Sequence, residues 1–304
     1  MKKEVNTCNI IFAVCVIIIH LLSELVTQGN ENAFLLQRFF AFAVTGFVFL
    51  SGFKLFINYR ERPYKKFIHK RFVTIYVPYL IVSSLYYLYF VVRGFTEGNL
   101  REYLFQIFTG SVCAHLYFVV LIMQFYVFFP LFAKFVNKCP AKIGVVSSIA
   151  VTAILKVPAL QNLKYADRIF IFYLCFFIMG AYAAKNYDRF IELLNRYKWR
   201  LALFWLCVGV LLQVCRLEVV NLFFCLSSVL LVYLLCLKIK ADFSEASGVA
   251  YYVYLIHPFF IYCADYGFYH LGIFDITQRF ILRVLIVFLC SFGFPLYIRK
   301  KFTK

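Results

Sequence analysis

A histidine and a glutamate interrupt the apolar run IIFAVCVIIIHLLSELV at residues 10–26. His20 and Glu24 are four residues apart, so on a helix they share a face and can touch. A carboxylate beside an imidazole can fix its tautomer, and a neutral, oriented imidazole is the form that a general base needs. Ionisable side chains at membrane depth are costly and by default indicate a functional site. The pair therefore predicts general-base chemistry; the alternative is a His–Glu pair that only bridges two helices.

A second histidine lies in the apolar segment GVAYYVYLIHPFFIY. His257 precedes Pro258, which lacks a backbone N–H and clashes with the previous turn of a helix. In lipid the carbonyl freed by this proline needs another partner. Taken alone, the pattern favours a kink packed against a neighbouring helix, with His257 as the hydrogen-bond partner of that neighbour, over a catalytic role.

Other polar residues are placed for binding. His115 opens HLYFVVLIMQFYVFFPLF near a membrane surface, where a rim position explains it equally well. Gln124 and Tyr126 lie deeper, and the Gln124 amide is expensive in lipid unless it is paired. Arg38 lies near the end of its apolar segment, where its side chain can reach the interface, an anion or a substrate hydroxyl.

The composition indicates a membrane protein. Hydrophobic residues make up 64% of the 304 positions, charged residues only 15%, and the mean hydropathy is +0.82. Apolar runs of this length cross a bilayer as helices. We predict an all-α, polytopic transmembrane bundle of about ten helices, forming a single domain over residues 1–304. The predicted spans are 8–28, 34–57, 72–92, 115–136, 143–157, 169–184, 199–215, 219–237, 248–270 and 279–298.

The charge pattern predicts the orientation. Most of the 32 lysines and arginines fall in the segments that are cytoplasmic if both termini are cytoplasmic, which is the positive-inside pattern. This pattern accounts for the net charge of +18 without nucleic-acid binding. The eleven cysteines form no CxxC motif, so neither a disulfide framework nor a metal site is expected. We expect a multi-pass protein of the plasma membrane.

The most basic stretch is NYRERPYKKFIHKRF at residues 58–72. Its charge serves orientation and attraction to anionic lipid, or alternatively it binds a phosphorylated cytosolic molecule such as coenzyme A. The candidate donor-binding residues are Arg60, Lys65, Lys66, Lys70 and Arg71.

Five segments in order resemble a known family. They are FVFLSGFKLF, FIHKRFVTIYVPYLIVSSLYY, HLYFVVLIMQFYVFFPLF, FYLCFFIMGAYAA and GVAYYVYLIHPFF. Together with the first span that contains His20, their order is similar to the membrane-bound acyltransferase-3 family, which includes bacterial sugar O-acyltransferases. The resemblance runs from residue 6 to about residue 260 and is to the short, stand-alone form.

The resemblance implies an activity. Members transfer an acyl group, usually acetyl, from cytoplasmic acyl-CoA to a hydroxyl of a sugar or another acceptor. Here the acceptor is expected to be a cell-envelope glycan, such as an exopolysaccharide, or its lipid-linked precursor. Acetyl-CoA is the donor substrate, and no cofactor or metal is bound.

The resemblance and the polar residues within the predicted spans together suggest roles for individual residues. His20 holds the position of the histidine regarded as essential; it would deprotonate the acceptor or briefly carry the acyl group, oriented by Glu24. His257 would donate to the oxyanion or only support the kink. The residues expected to bind the acceptor are Arg38, His115, Tyr117, Gln124, Tyr126 and His257.

Two positions depart from the family pattern. Asn9 stands where members often have an arginine eleven residues before the histidine, and Ile57 stands where a second arginine is common. The basic stretch at residues 58–71 would then bind the donor, or the donor differs, or catalysis is lost. The rival functions are a transporter or exporter of a glycan or lipid, and a non-catalytic relative.

Overall fold

A computed structural model describes residues 2–57, 59, 63–157, 163–215 and 217–302 of the chain. Within these ranges the secondary structure is helical and no strand occurs, which confirms the all-α prediction. The first eight helices are α1 Lys3–Leu21, α2 Ser23–Thr27, α3 Glu31–Phe40, α4 Phe42–Phe56, α5 Tyr64–Arg71, α6 Val77–Val92, α7 Leu100–Thr109 and α8 Tyr117–Val127. The next seven are α9 Phe129–Lys138, α10 Ala141–Leu155, α11 Leu174–Lys185, α12 Tyr187–Val214, α13 Glu218–Cys236, α14 Ser244–His270 and α15 Ile276–Phe302.

Each predicted span coincides with apolar helical structure. Among the residues that the structure describes, seven helical segments are long and apolar enough to cross a membrane, and α8 with α9 forms an eighth that is bent by 58°. Pro130, in the first turn of α9, accounts for this bend because proline has no N–H for the preceding turn. The predicted spans at 143–157 and 169–184 correspond to shorter apolar helices, Ala141–Leu155 and Phe170–Lys185. The chain is therefore a polytopic helical membrane protein.

Two segments that lie between the predicted spans are helical. The basic stretch forms α5 from Tyr64 onward and continues through a π-helical turn, Phe72–Tyr76, into α6. The segment before the predicted span at 199–215 is likewise helical from Tyr187. Hydropathy detects only the apolar part of a helix, so it misses polar extensions of this kind.

The chain divides into two compact units, one formed by Met1–Val44 with Val229–Lys304 and the other by Thr45–Ser228. In the first unit, α14 packs against α1 and α15. Ile17 and Leu21 on α1, and Val249 and Val253 on α14, are spaced four residues apart, so each pair lies on one helix face. With Val287 of α15 they form an almost fully buried core, which holds these three helices together.

In the second unit, α4 and α11 approach closely at two glycines. A Cβ on Gly52 would collide with the backbone carbonyl of Phe177, and a Cβ on Gly180 would collide with that of Phe49. Small residues allow this backbone contact between membrane helices. The contact places the buried helix α11 beside α4.

Candidate functional site

His20 and His257 meet in the first unit. His20 lies in the last turn of α1 and is partly exposed, whereas His257 lies inside α14 and is fully buried. Their ring centroids are 5.1 Å apart with an interplanar angle of 53°. Two histidines separated by most of the sequence are thus in direct ring contact.

The proton of neutral His257 can be assigned from its neighbours. Its Nδ1 is 2.8 Å from the Tyr254 carbonyl oxygen and 3.2 Å from that of Val253. Carbonyl oxygens only accept hydrogen bonds, so Nδ1 carries the hydrogen and Nε2 of the neutral ring carries a lone pair. The Tyr254 carbonyl is four residues before Pro258 and is the one that the missing proline N–H leaves without its helical donor.

This arrangement changes two expectations for His257. The bond joins the histidine to its own helix, rather than to a neighbouring one as expected. The only N–H of the neutral ring is used in that bond, so a neutral His257 cannot also donate to an oxyanion. Its Nε2 is instead suited to accept a hydrogen bond or a proton.

Glu24 has two arginine partners. Its Oε1 is 3.0 Å from a guanidinium nitrogen of Arg279, and its Oε2 contacts Arg283. Glu24 lies on α2, beyond the break in the helix at Leu22. That Glu24 orients His20 stays a prediction; the ion pairs place its carboxylate in a charged cluster.

The charged cluster consists of Glu24, Asp265, Arg279 and Arg283. Arg283 donates from Nε to Asp265 Oδ1 at 2.9 Å and also contacts that oxygen through a terminal nitrogen. Only 3% of the Arg283 side chain is exposed, compared with 24% for Arg279. None of Asp265, Arg279 and Arg283 was selected from the sequence as a site residue, although a carboxylate and arginines inside predicted spans are a signal of the same kind as His20 and Glu24.

Helix α3 lies alongside the end of α1. Gln37 donates from Nε2 to the Ile19 carbonyl at 3.0 Å, next to His20 in sequence, and is 3.4 Å from the Ser23 hydroxyl. The Arg38 guanidinium lies 5.9 Å from the centroid of the Phe34 ring on the same helix. Gln37, which the sequence analysis did not select, is therefore the α3 side chain that hydrogen-bonds the α1 backbone beside His20.

Asn9 occupies the position where the family resemblance places an arginine. Its side-chain nitrogen donates to the Ser247 carbonyl at 3.2 Å and to the Ser247 hydroxyl at 3.0 Å, and both residues are buried. Asn9 thus joins α1 to the beginning of α14. It lies eleven residues before His20, about 16 Å along the helix.

The remaining candidate acceptor residues lie in the second unit. His115 is 2% exposed, and its ring packs edge-on against Tyr86 with centroids 5.7 Å apart. The His115 side chain is therefore enclosed by the protein. Tyr117 is the first residue of α8 and is partly buried.

Gln124 binds the backbone of the segment that precedes α11. Its Nε2 donates to the Arg168 carbonyl at 2.6 Å, and its Oε1 accepts from the Phe170 N–H at 3.2 Å. Both ends of the amide are thus paired with backbone that is not α-helical. The pairing removes the cost expected for a buried amide and gives Gln124 a structural role here.

Tyr126 lies against the basic helix α5. The Arg71 guanidinium is 5.0 Å from the Tyr126 ring centroid, a cation–π contact, and Tyr64 donates to the Val127 carbonyl at 2.8 Å. These contacts fix one side of α5, while Lys65, Lys66 and Lys70 are exposed on the other. Arg60 lies outside the described residues.

The candidate residues therefore fall into two sets. His20, Glu24, Arg38 and His257 belong to the first unit, and the others that the structure describes belong to the second. Across the described ranges, no three His, Cys, Asp or Glu side chains are grouped so that they could hold a metal ion. The eleven cysteines, all within the described ranges, form no disulfide.

The chain is similar to a known protein family and to individual proteins of two bacteria. A family model described as "Acyltransferase domain" matches residues 3–300. A Bacillus subtilis (strain 168) protein named "Putative membrane-bound acyltransferase YfiQ" is 25% identical over 219 residues, 65% of this chain and 60% of that protein. A Staphylococcus aureus (strain MRSA252) protein named "Probable poly-beta-1,6-N-acetyl-D-glucosamine export protein" is 25% identical over 224 residues, 65% of this chain and 61% of that protein. The matched regions thus span about three fifths of these relatives, and no solved structure matches the chain.

Proposed function

The chain belongs to the acyltransferase-3 family, and on that premise we propose that it is an O-acyltransferase of the plasma membrane. It transfers an acyl group, acetyl first among the candidates, from acyl-CoA to a hydroxyl of a cell-envelope glycan or its lipid-linked precursor. The observation that carries the proposal is the contact between His20 and His257, because it brings two potential proton acceptors together at membrane depth.

In the proposed reaction His20 is the general base. It removes the proton of the acceptor hydroxyl, and the oxygen attacks the thioester carbonyl carbon. The C–O bond forms, the C–S bond breaks, and the proton held by His20 passes to the departing thiolate, which leaves as free coenzyme A. His257 accepts a hydrogen bond through Nε2, from the acceptor hydroxyl or from the His20 ring, while its Nδ1–H stays on the Tyr254 carbonyl.

The donor site is proposed on α5. Lys65, Lys66 and Lys70 are exposed on this short helix, and the opposite side is fixed by Tyr64 and Arg71. Ammonium groups on a rigid support suit the phosphates of coenzyme A. Asn9 cannot supply a charge, and its amide is already hydrogen-bonded to Ser247, so it does not replace the family's arginine.

The acceptor is proposed to be a glycan because the Staphylococcus aureus relative is named for export of poly-β-1,6-N-acetyl-D-glucosamine. The same name favours a second candidate function, the export of a glycan, with the histidine pair lining its path. The two functions differ in a measurable way, since only acyl transfer consumes acyl-CoA.

The test compares purified wild type and His20→Ala in nanodiscs with radiolabelled acetyl-CoA and a membrane glycan fraction. Free coenzyme A and label on glycan or lipid are both measured. His20→Ala should lower transfer by at least about 100-fold, the lower range of general acid–base contributions. His270→Ala is the matched control, because His270 is an exposed histidine at the end of α14 that packs on Tyr266.

Equal transfer by wild type and His20→Ala would refute the mechanism. If wild type releases no coenzyme A, the acyltransferase proposal fails. Movement of glycan into sealed vesicles without acetyl-CoA would then establish export.

A further inference from the structure

We infer that Arg283 is a positioning residue for His20: through Glu24 and Asp265 it connects α2, which directly follows α1, to α14 and α15, and so holds the His20–His257 contact. The role in catalysis rests on the proposed function. The contacts of Arg283 do not depend on the proposed function, because all of them lie within the first unit.

One guanidinium joins three helical segments. A terminal nitrogen of Arg283, on α15, contacts both Glu24 on α2 and Asp265 on α14, while Nε donates to Asp265 at 2.9 Å. The planar fork of arginine can bind two carboxylates in a fixed geometry, which a lysine ammonium cannot reproduce. Arg283 therefore fixes the relative positions of these segments more tightly than an apolar contact would.

The tie lies close to the histidine contact along both chains. Glu24 is four residues after His20, across the break at Leu22, and Asp265 is eight residues after His257 within α14, about 12 Å of helical rise. A change in the distance between the Glu24 and Asp265 carboxylates would therefore shift the His20 and His257 rings, which lie only four and eight residues away along the chain. Ile17 and Val253 precede His20 and His257 on the same two helices, and both pack in the buried core.

The folding stability of the protein does not by itself explain why an arginine occupies position 283. Replacing a buried ion pair by apolar residues is often neutral or stabilising, whereas breaking one side of it is costly. Arg279 adds a second, looser connection, 3.0 Å from Glu24 and 3.7 Å from Asp265, with a more exposed side chain. The cluster is balanced in charge, with two carboxylates and two guanidinium groups, so it can persist at membrane depth.

The primary test is Arg283→Gln in the nanodisc transfer assay. We expect kcat to fall about 100-fold, the loss typical of a misplacement near 1 Å, with the KM for acetyl-CoA unchanged. If Arg283 acts through His20, adding Arg283→Gln to His20→Ala should cause no further loss. Arg189→Gln, which breaks an exposed pair with Glu192 on α12, is the control and should leave kcat unchanged.

Additive losses in the double variant, or wild-type kcat in Arg283→Gln, would overturn the inference. If Arg283→Gln fails to fold, Arg283→Lys and Asp265→Asn replace it, since each keeps part of the network; a full kcat in either would also refute the tie.

A second readout is independent of activity. Diethyl pyrocarbonate transfers an ethoxycarbonyl group to an imidazole nitrogen, and mass spectrometry locates it. Loosening the tie should make His20 react several-fold faster in Arg283→Gln than in wild type, while His270 reacts at the same rate in both. An unchanged His20 rate would overturn the positioning role even if the wild type proves inactive in transfer, so the two failures are distinguishable.

Discussion

The pairing of His257 with Pro258 predicts a specific coupling of free energies. Within α14, the Tyr254 carbonyl has no helical donor because residue 258 is a proline, and it accepts from His257 Nδ1 instead. The Val253 carbonyl differs, because the backbone N–H of residue 257 is its ordinary helical partner. His257→Ala should therefore orphan one carbonyl, that of Tyr254.

The magnitude follows from that single orphaned group. A buried polar group without a partner costs about 1–3 kcal/mol. Removing the fully buried imidazole also loses packing, at a further cost of about 2–4 kcal/mol. In a Pro258→Ala background, the new N–H at position 258 can satisfy the Tyr254 carbonyl, so only the packing cost remains. The His257→Ala and Pro258→Ala effects should thus be non-additive by about 1–3 kcal/mol.

The assay is reversible unfolding of the four proteins of the double-mutant cycle in mixed detergent micelles, followed by tryptophan fluorescence. The cycle cancels the effect of Pro258→Ala by itself. His257→Asn is a matched variant, because its amide N–H can take the place of Nδ1–H, and it should lose less stability than His257→Ala. A coupling free energy of zero would refute the assignment of the His257 hydrogen bond and, with it, of the lone pair on Nε2.

Two further predictions concern the second unit and the donor site. Gly180→Ala should destabilise the protein by about 1–3 kcal/mol, since its Cβ would overlap the Phe49 carbonyl. Gly293→Ala, where a Cβ meets nothing within 4 Å, should stabilise it by up to about 1 kcal/mol; thermal unfolding of both variants in detergent checks the order, and the reverse order would contradict the close helix contact. Replacing the three exposed lysines of α5 by glutamine should raise the KM for acetyl-CoA about tenfold at low salt and less at high salt, given about 0.5 kcal/mol for each exposed contact. This variant combines Lys65→Gln, Lys66→Gln and Lys70→Gln. An unchanged KM for acetyl-CoA in steady-state kinetics would indicate instead that this face of α5 binds lipid headgroups.

The helices could be predicted from the sequence because apolar runs near the length of a bilayer leave few alternatives. Two helical extensions were missed, and for the same reason. The helical extension from Tyr64 to Arg71 is rich in charge, and the extension that begins at Tyr187 carries an exposed Arg189–Glu192 pair. Helices of this kind are stabilised by contacts or by local pairs rather than by a long apolar run, so hydropathy does not reveal them.

The candidate site was only partly predictable. His20 and His257 could be selected one by one, because each is a histidine within an apolar run. Their contact could not, since it depends on which helices are neighbours, and nothing in a single sequence states that α1 packs on α14. Gln124 shows a further limit: the residue was selected for binding, and the sequence did not reveal that its amide pairs with the backbone of residues 168 and 170.

Glu24 shows why intramembrane charges are better interpreted as a set. Considered with His20 alone, its spacing suggests an orienting carboxylate. Asp265 and Arg283 also lie within predicted spans, and an unpaired carboxylate or guanidinium at that depth would be very costly. The carboxylates of Glu24 and Asp265 therefore require cations, and Arg283 and Arg279 supply them. Because this demand is met within the first unit, we infer that Glu24 acts on His20 through the position of the helix, and the double variant of His20 and Arg283 tests that inference.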